Sequence, residues 1–167
     1  MSQLVYLISS LPSLTFGEAP PLTIDEFLQE AKNQLSNKRF QKLEQFSLQH
    51  FKNGDGKGKL KKFTTLIDEL QADMIEMRAA RKQKRSPHPI NLSKSIIEMN
   101  PLERELAIIQ WQWDELSSME VGATFTMTEL IVYKLKLELV HRIYSFNEEQ
   151  GAKVLESVVN PSQKLED

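Results

Sequence analysis

The sequence predicts an all-α fold, and three observations carry that reading. Apolar residues recur at intervals of three and four along most of the chain, residues suited to capping stand where those runs begin, and prolines fall between the runs or at a first helical position. The predicted architecture is an irregular bundle of about five or six helices, with a long C-terminal helical hairpin and a short N-terminal strand.

From the start, Leu4-Val5-Tyr6-Leu7-Ile8 is rich enough in β-branched and aromatic residues to read as that strand. A proline-containing loop follows, from Ser9 to Pro21. Thr23 and Glu26 then have the spacing of a capping box, with Leu22 and Phe27 placed to staple the helix start. This helix is expected to bury Ile24, Phe27, Leu28, Ala31 and Leu35. Ser36 or Asn37 begins a second, carrying Phe40, Leu43 and Phe46 or Ser47, then Phe51.

Gly54, Gly56 and Gly58 interrupt the pattern. Beyond them Phe63, Ile67, Leu70, Met74 and Met77 form an apolar seam, which runs into the basic stretch Arg78–Arg85 and stops at Ser86-Pro87-His88-Pro89. This linker divides the reading into an N-terminal extended segment with helices, 1–86, and a C-terminal helical hairpin region, 87–167, expected to pack as one domain. In the second segment Asn100 caps, Pro101 takes the first helical position, and Leu102, Leu106, Ile109, Trp113 and Leu116 form a stripe. Val121-Gly122 ends that helix, and Thr126 or Thr128 starts the next. The hairpin is therefore expected over 101–119 and 127–146. Its second helix carries two stripes: Leu130, Tyr133, Leu137, Val140 and Tyr144, and Ile131, Leu135, Leu139 and Ile143. A helix apolar on two faces must be covered on both, so it should lie at the centre of the fold. A last helix is expected from Glu148 to Val159.

Composition narrows the functional classes. The 167 residues contain no cysteine, which removes disulfides and thiolate metal sites. The N-terminal apolar stretch is too short for a signal core, and no run approaches the roughly 20 apolar residues of a membrane span. A cytoplasmic protein is expected. The net charge of −2 is unevenly spread, at −4 over residues 1–30, +8 over 31–85 and −6 over 86–167. Such polarity can steer association with a charged partner.

No catalytic, cofactor-binding or metal site is expected. In the glycine loop, Gly58-Lys59 is followed by Leu60 where a phosphate-binding loop needs serine or threonine. Read as a calcium loop, it has Lys57 at a ligand position and Thr64 where a glutamate must stand. His50, His88 and His141 lie in separate segments, and the Glu138/His141 pair reads as a helix-face hydrogen bond. The candidate partner-binding residues are Trp111, which is off the main stripe, and the cations Arg78, Arg81, Lys82, Lys84 and Arg85. The cations could meet phosphates, but no aromatic residues interleave to stack bases, so a nucleic-acid or general protein-interaction module is the secondary reading.

Tyr6-Leu7-Ile8-Ser9-Ser10-Leu11-Pro12-Ser13-Leu14, Asn100–Glu105, Trp111-Gln112-Trp113-Asp114, Glu120-Val121-Gly122 and the apolar helix near Tyr133 occur in the order found in a bacterial family of unknown function. That family is encoded among the genes of V/A-type ATPases, and the chain resembles it at both ends, with a shorter middle over 53–95. The resemblance implies association with the ATPase. The implied place is that of its C subunit (d in eukaryotes), the all-helical part between the membrane rotor ring and the central stalk. Tyr133–Ile143, with Glu138 and Arg142, is similar to a helix of that subunit, although the spacing differs and this chain is long enough for only part of three lobes. The implied partners are ATPase subunits of the stalk or ring. Contact with the membrane would be indirect, and no small-molecule substrate is implied.

Overall fold

The computed structural model describes residues 2–49, 58–146, 156 and 158. Seven helices are found among the described residues: α1 (Gln3–Ser10), α2 (Ile24–Gln34), α3 (Asn37–Gln45), α4 (Lys59–Lys82), α5 (Lys94–Glu98), α6 (Pro101–Glu120) and α7 (Met127–Ser145). The fold is all-α, as the periodicity predicts. The expected final helix at 148–159 and most of the glycine loop lie outside the described residues, as does Phe51.

The N-terminal strand is corrected to a helix. Ser2 caps α1 by accepting a hydrogen bond from the Val5 N–H at 3.3 Å. Leu4 and Leu7 are the buried positions, spaced by three as a helix requires and not by two as a strand would. The β-branched and aromatic residues that suggested a strand are outweighed by this capped, one-sided burial.

The chain divides into two compact units, one made of residues 1–50 and 120–167 and the other of 51–119. The sequence reading placed its division at residue 86, inside the second of these units. The two units also separate the long helices of the expected hairpin: α7 belongs to the first unit and α6, up to Met119, to the second. The linker at 86–89 does not divide the chain because its neighbours are hydrogen-bonded back onto α4, as described below.

In the first unit α7 is the central element, and α1, α2 and α3 all pack against it. Leu130, Ile131, Leu135, Leu137 and Leu139 are wholly buried, and Val140 and Ile143 nearly so. At roughly 1.5–3 kcal/mol per large apolar side chain, this one helix supplies much of the unit's core energy. Of the two predicted stripes, only Tyr133 and Tyr144 depart: the first is half-buried and the second exposed. The Tyr133 ring meets Phe27 of α2 with centroids 5.6 Å apart. The Thr23 capping box forms as predicted, with the Glu26 N–H donating to Thr23 Oγ1 at 3.1 Å and the Thr23 N–H to Glu26 Oε2 at 2.7 Å. Thr126 is the cap of α7 and accepts from the Glu129 N–H.

In the second unit α4 buries Leu60, Phe63, Ile67 and Leu70, then Asp73 and Ala80. The seam therefore continues through a carboxylate and an alanine, while Met74 and Met77 are only half-buried. On α6 the buried side chains are Leu106, Ile109, Gln112, Leu116 and Met119. The expected Leu102 is exposed and Trp113 half-buried. At 100° per residue, steps of three and four drift around the helix, and the buried face is turned by roughly 40° toward Gln112 and Met119. The predicted cap holds, with the Glu103 N–H donating to Asn100 Oδ1 at 2.9 Å.

Candidate functional site

The polar residues of α7 include four ionisable side chains, Tyr133, Lys134, Glu138 and His141, bonded to other parts of the first unit. Lys134 is buried, and its ammonium donates to the main-chain carbonyls of Leu43, at 3.2 Å, and Phe46. These carbonyls lie at the C-terminal end of α3, where a cation is favoured by the helix dipole. Glu138, one turn on, lies 3.8 Å from Lys134 and accepts from the Leu48 N–H at 2.8 Å and from the Ser47 hydroxyl at 3.3 Å. Burial pushes the Glu138 carboxyl up against these hydrogen bonds, and it pushes the Lys134 ammonium down against the pull of Glu138.

Two further α7 side chains reach the same N-terminal part of the chain. The Tyr133 hydroxyl donates to the Pro12 carbonyl at 2.8 Å, and burial raises its pKa to about 12. His141 Nε2 lies 2.8 Å from the Leu22 carbonyl oxygen. The expected Glu138/His141 hydrogen bond is thus replaced by separate bonds to main-chain groups. Chemically, the row does what helix caps and turns do: it satisfies carbonyls and amides in loops that leave regular structure. Spacing could mark Glu138 and His141 but not these partners, which lie about ninety or more residues away.

Beside this row, Ile8, Leu11 and Leu14 of the N-terminal segment, with Pro12 and Ser13, border a hollow of about 270 Å³ whose other wall is Glu120, Glu129, Tyr133 and Lys136. Lys136 is buried and pairs with Glu120 at 2.9 Å. Glu129 accepts from the Phe125 N–H, closing the turn into α7. This hollow is formed entirely within the first unit.

The basic run lies in the second unit. Arg78, Arg81, Lys82 and Lys84 are exposed, whereas Arg85 makes a two-pronged bond to Glu76 at 2.6 and 3.0 Å. The structure therefore separates Arg85 from the other four predicted cations. The Arg85 guanidinium, with the His88 N–H, holds the Glu76 carboxyl down at about 2. Lys84 has a backbone role as well. Its φ is +54°, and the bonds Arg85 N–H to Ala80 O and Lys84 N–H to Arg81 O are those of a Schellman motif with lysine in the glycine position.

Asp73 continues the same anchoring. Its buried carboxylate accepts three successive N–H groups, from Ile90, Asn91 and Leu92, at 2.9, 2.6 and 2.8 Å. Burial raises this carboxyl, but the three donors outweigh it and hold it below its ordinary value. The predicted linker is thereby strapped along α4. Trp111, the remaining candidate, is half-buried on α6. Among the described residues no three or more His, Asp or Glu side chains gather where a metal ion could sit, and no helix is long and apolar enough to cross a membrane.

Comparison with known protein families, curated proteins and solved structures finds no match to this chain.

Proposed function

We propose that this chain is a non-catalytic subunit or assembly factor of a V/A-type ATPase, occupying a place like that of the C subunit between rotor ring and central stalk. One structural observation carries the non-catalytic part of the reading. Tyr133, Lys134, Glu138 and His141, the polar groups that could have formed an active centre on α7, are bonded to main-chain atoms or to Ser47. Ionisable groups used in this way stiffen a body and leave surface charge for docking. The ordered family-like segments at both ends of the chain supply the ATPase part.

On this reading the role is architectural: the helices form a rigid connector, and Trp111 with Arg78, Arg81, Lys82 and Lys84 offers contacts to the neighbouring subunits. The protein would then be cytoplasmic and reach the membrane only through the complex. Affinity purification of the ATPase should recover the chain in fixed ratio or during assembly. A fully coupled ATPase assembled at normal rate without this chain would overturn the proposal.

The exposure of Arg78, Arg81, Lys82 and Lys84 supports the second reading, a basic-helix nucleic-acid binder. It predicts salt-sensitive RNA or DNA binding that is lost when those four residues become alanine. Absence of binding at low salt ends it.

A further inference from the structure

The hollow between the N-terminal segment and the start of α7 has an amphiphilic lining. Ile8, Leu11 and Leu14 supply one apolar, half-buried wall. Glu120 and Glu129 supply carboxylates on the other, and the sole cation among the lining residues, Lys136, is held by Glu120 at 2.9 Å. The lining therefore carries one negative charge in excess. Among the described residues Glu129 bonds the Phe125 N–H through Oε2, which leaves Oε1 for an incoming donor.

Size and chemistry narrow the occupant. About 270 Å³ lies below the roughly 300–1,000 Å³ of clefts that enclose drug-sized ligands. It suits one long side chain. An anion would meet Glu129 and could reach Lys136 only by displacing Glu120. A purely apolar group would leave the carboxylates facing hydrocarbon. A hydrocarbon stem ending in a cation matches both walls, because such side chains lay their methylenes on apolar surface and keep the charged head on a polar group.

We propose that this hollow is a docking socket for a lysine or arginine side chain presented by a partner protein. The inference rests on the reading of the chain as a protein-binding subunit, but not on the partner's being an ATPase. The socket uses the first unit only and the basic run belongs to the second, and the two would recognise partner faces of opposite charge.

The test titrates the full chain with N-acetyl-lysine-N-methylamide while recording amide NMR spectra. The norleucine analogue is the neutral control of the same stem, and free butylamine distinguishes a generic amine site from a side-chain socket. Shifts should concentrate at residues 8–14 and 129–136, with affinity for the lysine probe at least about tenfold above norleucine, the worth of one charge-assisted hydrogen bond. Glu129→Gln, which keeps an acceptor for the Phe125 N–H, should remove that preference. Ser13→Lys, on the exposed loop, should block the probe with an unchanged melting temperature. Equal affinity for norleucine, tighter binding of butylamine than of the lysine probe, or lysine binding unaffected by both variants would overturn the socket. Probe binding without ATPase co-purification would leave the socket standing and remove the ATPase reading.

Discussion

The two units use buried carboxylates in opposite ways. In the first, Glu138 sits beside Lys134 on the same helix, and both are desolvated against the end of α3. In the second, Asp73 is satisfied by three N–H dipoles of the strap at residues 90–92. The consequence appears in their titration: burial wins at Glu138, whose pKa is raised, and hydrogen bonding wins at Asp73, whose pKa is lowered. A row of fixed amides can compensate a desolvated charge better than a lysine that is itself desolvated.

Removing one member of the buried pair should have the largest effect. Glu138→Ala leaves the Lys134 ammonium without its carboxylate and the Leu48 N–H without its acceptor. It should cost about 3 kcal/mol, read as a lower midpoint in urea unfolding. Asp73→Asn retains an acceptor but removes the charge that three donors converge on, for an expected loss of about 2 kcal/mol.

A pH titration should separate the units next. Asp73 and Glu76 have folded pKa values below their ordinary 3.8 and 4.5, with Glu76 at about 2. Their stabilisation is therefore complete above those ordinary values and is lost as the pH falls toward 2. Glu138 runs the other way: its raised pKa gives a contribution present below 4.5 and lost as the pH rises through the folded value. Acidification from 4.5 to about 2 should thus speed hydrogen exchange at Ile90, Asn91 and Leu92 before it does so at Leu48. Simultaneous loss of protection would erase the contrast. The smallest effect is a gain: Lys84→Gly removes a side chain from a left-handed backbone position and should stabilise the strap's entry by about 1 kcal/mol.

Legibility in the sequence followed distance along the chain. The Thr23 capping box, the Asn100 cap and the two-sided burial of α7 each depend on residues within a few turns, and each formed as read. Asp73 could not be read as an anchor, because nothing near it in sequence announces that residues 90–92 will return their N–H groups to it. The same applies to Lys134, whose partners, the Leu43 and Phe46 carbonyls, lie about ninety residues away. The α1 error has a different origin. In an eight-residue segment, β-branched content and helical spacing compete, and the Ser2 cap with burial of Leu4 and Leu7 decided the outcome. For the candidate contacts, sequence located the basic run but could not show that Arg85 would be taken by Glu76, or that Lys84 would complete a helix end. The hollow was not legible at all, since its walls come from residues 8–14 and 120–136.

The division of the chain also sorts its chromophores. Both tryptophans, Trp111 and Trp113, belong to the second unit, and all three tyrosines, Tyr6, Tyr133 and Tyr144, belong to the first. Tryptophan emission therefore reports one unit, and tyrosine absorbance the other, in a single unlabelled sample. If the two optical transitions coincide on heating, the units melt as one cooperative body. If they part, the order in which they do so reads out which set of buried carboxylates gives way first.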